Sequence, residues 1–121
     1  MPVDHTIDAE QGIVFTSLSG NVTFAEFSLH LNALAAETSF RPDMRELLIS
    51  HDAATDEFDI SQIMSFKQSH VWGENARRAL VADSELAYGL FRMFQITADG
   101  AHGEIRLFRD IAAARLWRGL E

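Results

Sequence analysis

Ser50, His51 and Asp52 are the residue types of a nucleophilic triad. A relay needs three side chains converging on one point, and geometry decides it. Consecutive residues in or just after a strand point to opposite faces, so these three are not expected to act together. The chain has no Gly-x-Ser-x-Gly elbow. Its five histidines are His5, His30, His51, His70 and His102. None forms the His-x-x-x-His pair that sets two metal ligands on one helical face. Asp52, Asp56, Glu57 and Asp59 make an acidic stretch, but without the spacing and central glycine of a calcium loop. No phosphate-cradling glycine motif occurs, and Gly100 and Gly103 suit a turn. No metal and no cofactor is therefore expected.

The remaining candidates depend on the elements that carry them. Val3 to Ile7 and Ile13 to Leu18 alternate as strands around a Gln11-Gly12 turn, which predicts a hairpin. Thr23-Phe24-Ala25-Glu26 has the spacing of a capping box, and Phe24, Phe27, Leu31 and Leu34 continue it as a helix to about Glu37. Glu46 to Ser50, around Leu47-Leu48-Ile49, reads as a buried strand, followed by an acidic loop from His51 to Phe58. Asp59 opens a second helix marked by Ile60, Ile63, Met64 and Val71 and ended by Gly73. Arg78 to Ala82 is a strand. Asp83-Ser84 caps a third helix, expected to be the most buried because it is apolar over a wide arc. Glu104 to Phe108 is the last strand, and Asp110 caps the last helix. The order β-β-α-β-α-β-α-β-α predicts one α/β domain, with a mainly parallel mixed sheet and an antiparallel N-terminal hairpin.

In such a sheet, ligands sit at the carboxyl ends of the strands. That edge should hold His51, Asp52, Asp83 and Arg109, together with Ser50, Ser84, Asp59 and Asp110. Acidic residues dominate it. Anions would be repelled, whereas a cation, a basic peptide or an uncharged ligand would be tolerated. His51 is the one group there that titrates near neutrality. Farther along, Tyr88 and Arg92 stand four residues apart on the third helix and should lie side by side. Gly89 between them costs helix stability, which a close approach to the sheet or to another chain would offset.

Composition sets the outer bounds. The chain has 121 residues, 47% of them apolar and nine of them Phe, enough for one core. Cysteine is absent, which excludes thiolate chemistry and disulfides and fits a reducing, cytoplasmic setting. Met1 to His5 has neither the basic start nor the apolar run of a secretory leader. The Asn21-Val22-Thr23 acceptor is therefore expected to stay unglycosylated. No stretch is long and apolar enough to span a bilayer. A formal net charge of −8 argues against binding nucleic acid.

The element order, the Ala87-Tyr88-Gly89-Leu90 and Arg92-Met93-Phe94 stretch, and the closing Leu107-Phe108-Arg109-Asp110, Ala114 and Trp117 resemble bacterial STAS-like proteins. These are small relatives of anti-sigma-factor antagonist domains, grouped by fold with CRAL-TRIO lipid-binding domains. Phosphorylatable antagonists carry an Asp-Ser-Ser-Gly turn. The matching residues here are Asp59-Ile60-Ser61-Gln62, so Asp59 and Ser61 match while Ile60 occupies the phosphorylated position. The resemblance implies a non-enzymatic regulatory or interaction module with a protein partner or a second copy in a homodimer. It also leaves open a carrier of a small apolar or lipid-like ligand. Read from the residues alone, His51 with an acidic neighbour offers a further alternative, an acid–base enzyme.

Overall fold

The computed structural model describes residues 3–54, 71–98 and 103–118, with the backbone alone at 21, 52–54, 97, 98 and 118. Five strands form one sheet in the order β1-β2-β3-β4-β5, where β1 is Val3–Asp8, β2 Ile13–Asn21, β3 Arg45–Ala54, β4 Arg77–Val81 and β5 Glu104–Phe108. β1 runs antiparallel to β2, as the short Gln11-Gly12 connection requires, and β2 to β5 run parallel. The helices among the described residues are α1 (Phe24–Ala36), α2 (Glu85–Ala98) and α3 (Ile111–Arg118).

Strand alternation divides the side chains between two layers. Leu18, Leu48 and Leu80 point to one face, where Phe27 of α1 and Phe91 and Phe94 of α2 cover them. Leu47, Ala79 and Val81 point to the other, where Ala114 and Trp117 of α3 pack on them. Burial on both faces is why β3 and β4 read as continuous apolar runs. Each Leu or Val buried this fully contributes about 1.5–3 kcal/mol. A third cluster, with Val14, Leu34, Met44, Trp72 and Ala76, closes the amino end of the parallel strands.

The capping box forms as expected. Thr23 Oγ1 accepts the Glu26 N–H at 3.1 Å, and Glu26 Oε1 accepts the Thr23 N–H at 3.1 Å. Other expectations change. β3 extends through Ala54, so His51 and Asp52 belong to a strand and not to a loop. Pairing with β2, which itself continues to Asn21, carries the strand past the apolar run. Val71 lies in a bend and not in a helix; the rest of the helix expected from Asp59, including Ser61, lies outside the described residues. α2 is not the most buried helix: Leu86 is 49% and Ile96 65% exposed, whereas α1 buries His30, Leu31 and Leu34. The apolar arc of α2 is wider than the sheet surface available to it.

Gly103 shows a backbone requirement. Its φ is +94°, and a Cβ there would stand 2.6 Å from the Ala76 carbonyl oxygen. That carbonyl accepts the Glu104 N–H at 2.8 Å, which starts the β4–β5 pairing. Gly20 also has positive φ, +67°, but open space around it. Gly103→Ala is therefore expected to cost more than the roughly 1–2 kcal/mol of left-handed strain expected for Gly20→Ala. Urea unfolding of the two variants checks this; equal losses would refute the steric account.

Candidate functional site

The carboxyl edge of the sheet is built from the residues that follow each strand. Ser84 caps α2: its hydroxyl accepts the Ala87 N–H at 3.1 Å and its carbonyl accepts the Tyr88 N–H at 3.0 Å. Asp110 Oδ1 accepts the Ala112 N–H at 3.1 Å and caps α3. These groups satisfy orphan helix donors. Asp83 receives a long hydrogen bond, 3.5 Å, from the Ser50 hydroxyl.

Ser50 is 1% exposed, while His51 points the other way and is exposed. Strand geometry thus separates the first two residues of the apparent triad, and the Asp52 side chain lies outside the described residues. Arg109 ion-pairs with Glu85, and its guanidinium carbon stands 4.0 Å from the centre of the Tyr88 ring. Arg92 instead directs its guanidinium to Gln95, at 3.5 Å. Tyr88 therefore stacks with an arginine from the end of β5 rather than with its helical neighbour. Gly89 is exposed, with no atom within 4 Å of a Cβ built on it, so close packing on the sheet does not explain it. Leu86, which follows Glu85, and Ile111, two residues after Arg109, are exposed.

A second constellation was not singled out from the sequence. His5 of β1 and His30 of α1 face each other with Nδ1 atoms 3.3 Å apart, and His5 Nε2 lies 3.0 Å from Glu37 Oε1. With both rings neutral, this network assigns the proton of His5 to Nε2, donating to Glu37. It assigns the proton of His30 to Nδ1, donating to His5. His30 Nε2 is then an acceptor to which no described residue donates. His30 is 7% exposed, and both rings line an open groove of about 490 Å³ between β1 and α1. Behind it, Glu46 accepts the Thr16 hydroxyl at 2.9 Å and pairs with Arg78 Nε at 2.9 Å. Glu46 is 1% and Arg78 4% exposed, with Trp72 and Phe94 rings over the guanidinium.

Alternation could have revealed these residues. His5 falls between inward Val3 and Ile7, and His30 falls three residues after Phe27. Glu46 and Arg78 share the parity of Leu48 and Leu80. Among the described residues, no group of three or more His, Asp or Glu side chains could hold a metal. No helix among them is long and apolar enough to cross a membrane.

No protein-family model matches the chain, and no curated protein is significantly similar to it.

Burial lowers the His30 pKa from its ordinary 6.5; the nearby Glu46 and Asp4 oppose this, and the positive charge of Arg78 and of a protonated His5 assists it. The folded state therefore favours neutral His30. This stability is present above pH 6.5 and is lost as pH falls from there through the lower folded value. The urea midpoint of the wild type should fall over that window, and His30→Gln, which does not titrate, should flatten the slope. An unchanged slope in the variant would place the pH dependence elsewhere.

Proposed function

We propose that this chain is a regulatory protein-interaction module of STAS-like architecture. The observation that carries this reading is the Tyr88–Arg109–Glu85 cluster at the carboxyl edge, with its sequence neighbours Leu86 and Ile111 exposed. Tyrosine and arginine are the side chains most often found as binding anchors, because they combine apolar contact with directional hydrogen bonds. Here they come from different elements and hold each other in place, so little ordering is left to do on binding. The five-stranded mixed sheet with one antiparallel edge is what the strands of that order would build, and the helix expected between β3 and β4 lies outside the described residues.

Other readings draw less support. Phe27, Phe91 and Phe94 pack into one core cluster, Phe40 into the second, and Phe15 and Phe108 into the third. Packing against the core accounts for these six rings, the use to which such side chains are most often put. An acid–base role for His51 draws on an acidic neighbour, and the side chain of Asp52 lies outside the described residues.

A photoreactive amino acid replacing Tyr88 in the intact cell should trap one discrete partner or a second copy. The same residue at exposed Glu74, at the opposite end of β4, should not. Arg109→Glu, in a side chain 54% exposed, should leave folding stability within about 0.5 kcal/mol and reduce trapping about tenfold. Equal trapping from both positions would defeat the proposal.

A further inference from the structure

Among the described residues β1 is an edge strand, hydrogen-bonded to β2 on one side, and none of them pairs with the backbone N–H and C=O groups of its other side. Edges of this kind are commonly blunted by charged side chains, Lys above all, or by Pro, and acidic charges turn away an acidic strand but not a basic one. Val3–Asp8 contains neither Lys nor Pro, and its ionised side chains are Asp4 and Asp8. The groove between this edge and α1 has an apolar surface from Val3, Leu29 and Ala33, and Leu29 is 68% exposed. Three carboxylates rim it: Asp4, Glu26 and Glu37. Glu26 is engaged by the Thr23 cap and Glu37 by His5, and with Asp4 they give the groove an acidic rim. The buried ring of His30 adds the acceptor Nε2 described above.

We infer that this groove receives an extended segment of a partner protein that carries basic side chains and adds as a further strand beside β1. Backbone hydrogen bonds to the edge would supply affinity, and alternate side chains would supply specificity. One alternate side chain would rest on Leu29, and a cationic one would reach Glu37 or Asp4. Charge selects this occupant. The β1 of a second copy would bring Asp4 and Asp8 against the same residues, and like charges across strands are destabilising. An anionic lipid would meet the three carboxylates. This surface lies apart from the Tyr88–Arg109 cluster and extends the interaction reading to a second place on the molecule.

The test is an NMR titration of the whole protein with a short acetylated peptide alternating lysine and valine, and with its counterpart alternating glutamate and valine. The lysine peptide should shift the amide signals of Val3–Asp8 and of Leu29 to Ala33, while the glutamate peptide leaves them in place. Asp4→Lys and Glu37→Lys should each weaken the lysine peptide about tenfold. Absent shifts at β1, or equal binding of the two peptides, would overturn the inference. So would β1 shifts that follow protein concentration without peptide, since these mark a second copy on the edge. Trapping from position 88 scores the strand-end patch independently, so either surface can fail alone.

Discussion

Two charges enclosed in the sheet, Glu46 and Arg78, constrain much of what surrounds them. Removing a carboxylate and a guanidinium from water costs several kcal/mol for each ion, and their attraction repays this only with close geometry and further hydrogen bonds. The registers Val14↔Glu46 and Glu46↔Arg78 set the two residues side by side on β3 and β4. Thr16 donates to the second carboxylate oxygen. Trp72 and Phe94 cover the guanidinium. A slip of one residue in either pairing would turn one charge to the opposite face and leave its partner buried alone. The pair thus links the register of three strands to the docking of α2 and of the segment before β4.

From this centre the molecule becomes more open toward two ends. His30 lies within electrostatic reach of Glu46 and Arg78, and its own contacts run outward through His5 to exposed Glu37. At the other end, β4 and β5 deliver Asp83, Ser84 and Arg109 to the strand ends. The hydroxyl and carboxylates there are largely occupied in capping helices, while the Tyr88–Arg109 stack stays accessible. The enclosed polar groups serve the fold, and the groups that face water are arranged for contact.

Much of the fold was legible because local signals agreed with the global arrangement. The Thr23–Glu26 box, the period-2 strands, the Gln11-Gly12 turn and the Asp83-Ser84 and Asp110 starts each named an element that formed. Boundaries set by partners were not legible: β3 runs to Ala54 because β2 continues beside it, a contact distant in sequence. The site was less readable. Tyr88 and Arg92 satisfied a local spacing rule, but Arg109 reached Tyr88 from a different strand. His5, His30, Glu46 and Arg78 fall at inward positions of their elements but were not singled out, and their pairing depends on strand order and helix placement. Ser61 and the acidic stretch beyond Ala54 lie outside the described residues.

The most direct measurement is the unfolding free energy of a combined variant set on this buried network. Glu46→Leu and Arg78→Met alone should each cost about 3–5 kcal/mol, since each leaves an unpaired charge inside the protein. Thr16→Val, Glu46→Leu and Arg78→Met together remove both charges and the dependent hydroxyl. They should restore most of that loss, with the native pattern of amide signals retained. Losses that simply add, or a triple variant that fails to fold, would contradict the claim that the pair acts as one unit serving the structure.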